Sequence, residues 1–227
     1  MTQSPNRQRA GRKHAEPVTG SRSERGKRSI EGVACVYLAR HGRTPLNAAG
    51  LLRGRLDPPL DDLGRAEAAR LGSALADAGV RLVVASPLQR AVDTARPVAE
   101  RAGLEVEIEA RLIDRDYGSW AGQPRQAVID RWGSLDRAPG VEAGGEVAER
   151  ALQALADIAE RARGAAAVVV SHDAVNRAVL SLLDPSLGDP EAVPQATGCY
   201  NVLERRGETW SIRSVNNIPT EPGGITV

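Results

Sequence analysis

Phenylalanine is absent from this 227-residue chain, and tyrosine and tryptophan occur three times each. With so few rings, Tyr117 and Trp120 are expected to serve packing first. Cysteine is limited to Cys35 and Cys199, far apart in sequence and each in an apolar, strand-like context. Such a pair makes neither a disulfide framework nor a thiolate metal site and reads as two small buried hydrophobes. Lysine is confined to Lys13 and Lys27, and histidine to His14, His41 and His172. No stretch approaches the ~20 apolar residues of a membrane-spanning helix. Residues 1–29 also lack the apolar segment of a signal peptide, so the expected location is the cytoplasm, away from any membrane.

What is present is an ordinary globular mixture, 41% hydrophobic and 26% charged, which excludes fibrous and wholly disordered chains. The length suits one domain with a tail. The formal net charge of +1 conceals an asymmetry. Residues 1–32 carry eight basic against three acidic side chains, whereas residues 33–227 carry 22 arginines against 26 acidic groups. A mildly acidic body argues against a nucleic-acid-binding surface. The basic segment 1–32 has almost no large apolar side chain and is expected to be disordered. Residues 217–227, rich in Pro and Gly, are expected to be irregular. The folded domain should span 33–216. A homo-oligomer stays open.

Between the tails, hydrophobic periods alternate. Residues 33–39, 81–86 and 165–170 are nearly continuous apolar runs, the mark of strands buried on both faces. Helical stripes occupy 68–78, 88–102, 148–162 and 175–182, with Gly79, Gly103 and Gly164 as stops and Pro97 expected to kink or split the second. Residues 104–108 read as a strand nearer the sheet edge, and 198–204 with 209–215 as a closing hairpin. The expected fold is α/β, a three-layer α/β/α sandwich with a mainly parallel central sheet. Ligands of such folds bind beyond the carboxyl ends of the strands.

Those ends carry Arg40-His41-Gly42-Arg43-Thr44-Pro45-Leu46-Asn47, then Ser86-Pro87-Leu88-Gln89-Arg90, then Ser171-His172-Asp173. Two histidines and at least two arginines at three strand ends suit an anion with several oxygens, most naturally phosphate. Adjacent guanidinium groups would repel a metal ion, so no metal and no other cofactor is expected.

These residues also carry a resemblance. The Arg-His-Gly motif with Thr44 and Asn47, the segment 54–64, Ser86 to Ala91 with Asp93-Thr94-Ala95, residues 112–122 and Ser171-His172 resemble, in order, the motifs of the histidine phosphatase superfamily, also called phosphoglycerate mutase-like. The chain departs from that pattern in three places. Arg43 stands where Glu or Gln is usual, Asp114 where the acid is usually Glu, and Asp173 where Gly commonly follows the second histidine. The resemblance implies hydrolysis of a small-molecule phosphate ester through a phosphohistidine on His41. Arg40, Arg90 and protonated His172 would clamp the phosphoryl oxygens, Asp114 would serve as proton donor, and Thr44, Asn47, Arg43 and Arg55 would line the phosphate or substrate site. Phosphoglycerate mutase-type transfer is one alternative, and a catalytically weak module that binds phospho-ligands is another. The mutases of the family carry a longer insertion and a substrate-contacting lysine, and residues 33–227 hold no lysine.

Overall fold

The computed structural model describes residues 1–2, 32–162 and 164–220. The expected N-terminal tail and most of the C-terminal one lie outside the described residues. Six strands form one sheet in the order β3-β2-β4-β1-β5-β6. They are β1 (Val33–Arg40), β2 (Val80–Ala85), β3 (Val106–Ile108), β4 (Ala166–Ser171), β5 (Tyr200–Arg206) and β6 (Thr209–Asn217). The first four run parallel, whereas β5 and β6 form an antiparallel hairpin at one edge. Every residue of β4 is buried, as a continuous apolar run predicts for a central strand covered on both faces.

Helices cover both sides. Helices α2 (Asp62–Ala74) and α3 (Gln89–Ala102) pack over Leu71, Val83, Ala95 and Val168, and α5 (Gly144–Ala162) and α6 (Asp173–Leu183) over Val36, Leu155, Val169 and Leu180. A third cluster, Leu52, Tyr117, Val128, Leu135 and Ala138, joins the short helix α4 (Arg125–Trp132) to the main body. Trp120 and Trp132 pack against it edge to face, 6.1 Å apart. The few aromatics therefore serve packing, as their scarcity suggested.

Pro97 does not split α3, which runs unbroken from residue 89 to 102. Only the one hydrogen bond from the missing Pro97 N–H is forfeited. Burial of Ala95, Val98 and Ala99 on either side holds the helix together. The helix begins after Leu88, which supplies no side-chain cap. Asp57 does so from a distant loop, its carboxylate accepting the Gln89 N–H at 2.7 Å and so satisfying an orphan donor of the first turn.

Parallel register sets the level of the functional ends. Arg40 lies opposite Ser171, the His41 N–H reaches the Ser171 carbonyl at 3.0 Å, and the Ser86 N–H reaches the Val170 carbonyl at 3.0 Å. His41, Ser86 and His172 thus emerge side by side at one edge. The loop leaving β1 is held by the first turn of α2, where Asp61 caps the Gly64 N–H at 2.8 Å. Here the short helix α1 (Pro45–Ala48) also begins. The packing tolerates no side chain at Gly64, since a Cβ there would stand 2.0 Å from the Arg43 carbonyl oxygen.

Gly64→Ala is therefore expected to destabilise the fold by about 1–3 kcal/mol through overpacking, read as a lower urea midpoint. Gly145→Ala, where a Cβ meets nothing within 4 Å, should leave the midpoint unchanged or raise it slightly. Equal midpoints for the two variants would contradict the close approach.

Candidate active site

His41 is wholly buried, with Nδ1 2.7 Å from the Gly42 carbonyl oxygen. A carbonyl only accepts, so Nδ1 carries the proton. Nε2 then presents a lone pair, and the Arg90 Nε–H points at it from 3.3 Å. Burial first, then Arg90 and Arg40, hold the His41 pKa well below the ordinary histidine value. The resting imidazole is neutral, with its Nε2 electron pair engaged by the Arg90 Nε–H.

Arg90, in the first turn of α3, is fully buried. Its Nη1 donates to the Leu56 carbonyl at 2.7 Å, its Nη2 to the Gly54 carbonyl and the Asp114 carboxylate at 2.9 Å each, and Asp57 lies 3.4 Å away. Gly54 has φ +51°, a left-handed conformation that glycine adopts without strain. A Cβ there would press on the Arg115 carbonyl and the Tyr117 ring at 3.0 Å. Arg40 is also buried, its Nη1 donating to the Gln195 carbonyl and lying 3.8 Å from Asp173.

Asp114 follows a 3₁₀ turn after β3. Its Oδ1 accepts the Arg115 N–H at 2.9 Å. Arg150 of α5 fixes this strap by donating to the Arg111 and Ile113 carbonyls at 2.6 and 2.8 Å. Burial pushes the Asp114 carboxyl above the usual carboxylate range, against the opposing pull of Arg90 and Arg53. His172, at the start of α6, has Nε2 2.7 Å from the Ser86 hydroxyl and Nδ1 3.8 Å from Asp114. The two histidine rings are 5.2 Å apart. Burial, Arg90 and His41 depress the His172 pKa well below its usual value. Burial among cations thus favours the neutral imidazole of His172, and the expected protonated form requires a nearby anion to offset them.

Arg40, His41, Arg90, Asp114 and His172 therefore converge, as expected. Thr44 and Asn47 lie beside them but serve each other in a capping box at α1, with the Thr44 N–H and Asn47 Oδ1 at 3.0 Å and the two side chains at 2.7 Å. Arg43 and Arg55 do not join the cluster. Arg43 pairs with Asp61 at 2.8 Å, and Arg55, about half exposed, pairs with Asp116 at 3.2 Å. Two neighbours were not among the expected site residues. Ser86 stands beside His172, and its signal is a polar residue at the end of an apolar strand. Arg53 is the other, and its charge acts on His41, Arg40, Arg90, Asp114 and His172 alike. A cavity of about 720 Å³ adjoins the cluster at Asp173, lined also by Arg115, Tyr117, Ile129, Ala148 and Arg177. Among the described residues, no helix is long and apolar enough to cross a membrane.

The sequence profile of the histidine phosphatase superfamily (branch 1) matches residues 36–218. The uncharacterized phosphatase PhoE of Bacillus subtilis (strain 168) is 29% identical over 186 residues, covering 81% of this chain and 95% of that one. The solved structure of a mycobacterial glucosyl-3-phosphoglycerate phosphatase complexed with VO3 superposes with a TM-score of 0.70 at 28% identity, covering 81% and 98%. The fold is also that of the phosphoglycerate mutase from Bacillus anthracis str. Sterne, with a TM-score of 0.74 at 22% identity over 85% of this chain and 96% of that one.

The depressed histidines have a measurable consequence. Both imidazoles are neutral when folded and protonate near pH 6.5 when unfolded, so the unfolded state binds more protons below that pH. Each should cost about 1.4 kcal/mol of stability per pH unit as the pH falls below about 6.5. Asp114, raised in the folded state, works in the opposite sense and returns stability on acidification. Replacing His172 by Gln should flatten the fall of the urea-derived stability between pH 6.5 and 5 by about that amount per unit. Parallel pH profiles for the two proteins would contradict a neutral His172.

Proposed function

The chain belongs to the histidine phosphatase superfamily (branch 1), and from that premise we propose that it hydrolyses a phosphate monoester without a metal, through a phosphohistidine on His41. The observation that carries this reading is the tautomer of His41. Its Nδ1 proton is tied to Gly42 and its Nε2 pair is directed at Arg90, where an anionic phosphoryl group would be drawn.

In the first step, Nε2 of His41 attacks phosphorus in line and the P–O bond to the alcohol breaks. The guanidinium groups of Arg40 and Arg90 stabilise the charge on the equatorial oxygens. The arriving dianion raises the His172 pKa, so that this side chain becomes a further cationic donor. Asp114, whose pKa burial raises, takes up a proton as the substrate dianion binds and passes it to the departing alcohol oxygen. In the second step, the Asp114 carboxylate takes a proton from water as the water oxygen attacks phosphorus and the P–N bond breaks. The electron pair returns to Nε2, and inorganic phosphate leaves. Ser86 holds the His172 ring, and Arg150 holds the strap that carries Asp114.

We assign the catalytic domain to residues 33–216; the family match spans 36–218. Hydrolysis is favoured over return of the phosphoryl group to substrate by the phosphatase relatives and by the lack of lysine in residues 33–227. The cavity beside Asp173 would receive the alcohol portion of a small phosphate ester.

Two results are expected from a panel of phosphate esters assayed in EDTA. The wild-type protein should turn over at least one ester fully in the chelator; loss restored by a divalent ion would overturn the metal-free reading. Asp114→Asn should slow an alkyl phosphate by roughly 10²- to 10⁴-fold, and p-nitrophenyl phosphate clearly less, because nitrophenolate leaves without a proton. Equal losses on the two substrates would remove Asp114 from the role of leaving-group acid.

A further inference from the structure

The cavity that meets the cluster at Asp173 has a charge pattern of its own. It follows one face of α6, from Asp173 in the first turn to Leu182 in the last. The arginines that line it are Arg115, Arg125 and Arg177, and each is matched by a carboxylate of the same wall. Arg177 donates to Asp173 at 2.6 Å, Arg115 to Asp136 and Arg125 to Glu191. A further acid, Asp189, accepts the Glu191 N–H at 2.9 Å and leaves the wall one charge on the negative side. Between the ion pairs the wall is apolar at Ile129, Leu135, Val147 and Ala178. It also holds the Ser181 hydroxyl, buried without a hydrogen-bond partner among the described residues.

Asp173 is where this cavity touches the phosphate site. Its carboxylate stands 3.8 Å from Nη1 of Arg40 as well as on Arg177. Burial works to raise the Asp173 carboxyl, but Arg40 and Arg177, with Arg53, hold it below the usual range. An alcohol whose phosphoryl group rests on Arg40 and Arg90 has to pass this anion to enter the cavity. A carboxylate on that alcohol would lose its water and meet a like charge. It would also find no guanidinium to receive it. Arg40 is engaged by the phosphoryl oxygens, and Arg177 by Asp173 and by the carbonyls of Pro190 and Glu191. A hydroxyl in the same place meets no repulsion, donates to a carboxylate and pairs with Ser181.

Resting on the phosphatase reading, we propose that Asp173 sets the substrate class: the site takes phosphate esters of uncharged alcohols and turns away esters that carry a carboxylate near the phosphate.

The test compares glycerol 3-phosphate with 3-phosphoglycerate, which differ by a hydroxymethyl group against a carboxylate on one carbon chain. For wild type and Asp173→Asn, kcat/KM is measured on each ester, with Kd by calorimetry alongside. Removing a charge beside Arg40 shifts the binding of every phosphate ester, so the readout is the ratio between the two, from which that common shift cancels. Wild type should favour glycerol 3-phosphate by roughly 10- to 100-fold, the scale of one like-charge contact. Asp173→Asn should lose most of that preference. A wild-type preference for 3-phosphoglycerate, or a ratio that Asp173→Asn leaves unchanged, would overturn the proposal. If Asp173→Asn does not fold, Asp173→Ser supplies the neutral variant. A wild-type protein that hydrolyses no phosphate ester would defeat the phosphatase reading, and the ratio of the two Kd values would still decide the role of Asp173.

Discussion

A single buried guanidinium organises the catalytic edge of this fold. Arg90 has no exposed surface, and burying a charge is tolerable only when its donors are satisfied. The carbonyls of Gly54 and Leu56, the carboxylates of Asp57 and Asp114 and the lone pair of His41 meet that demand. Each contact also fixes something else. Asp57 caps α3, the 54–57 loop is pulled over the sheet end, Asp114 is brought into reach of His172, and His41 is held in one tautomer. The strands only deliver Arg40, His41, Ser86 and His172 to a common level. Arg90 is what ties the loops to them.

Charge then divides the labour. Two histidines at reference pKa would be partly protonated near neutrality, but here both are neutral because they are buried among arginines. On the proposed reading, that keeps His41 available as nucleophile, and an incoming dianion would recharge His172. Asp114 is pushed the other way by burial, which suits a group that must hold a proton until the alcohol departs. Opposite pKa shifts within one small cluster separate nucleophile from acid. The shorter Asp side chain at this position still reaches Arg90 at 2.9 Å, on a strap that Arg150 holds through the Arg111 and Ile113 carbonyls.

Much of this was legible in the sequence because buried parallel strands write themselves as unbroken apolar runs, and polar residues at their ends stand out. The positions of β1, β2 and β4 and the convergence of Arg40, His41, Arg90 and His172 followed from that contrast, whereas Asp114 was reached only through the family resemblance. What resisted was local. Arg53 and Arg55 flank Gly54, and the sequence reading chose Arg55; the structure pairs Arg55 with Asp116, while the charge of Arg53 acts on the clustered groups. Arg43 follows the Arg-His-Gly motif directly, yet Asp61, brought near by the close approach of Gly64, draws it outward. Helix α4 was missed because its apolar residues, Val128, Ile129 and Trp132, cover too short a stretch to show a period. Thr44 and Asn47 were expected to line the site, but their side chains suit capping as well, and the structure uses each to cap the other.

The central claim is that Nε2 of His41 takes the phosphoryl group. Its most direct measurement is rapid quench in alkali during turnover, followed by peptide mass spectrometry and phosphorus NMR of the trapped protein. The account predicts one acid-labile, alkali-stable phosphoryl group, on the His41 peptide and bonded to Nε2. A phosphoryl group on Nδ1, on serine or on a carboxylate, or turnover with no phosphoenzyme at all, would contradict it.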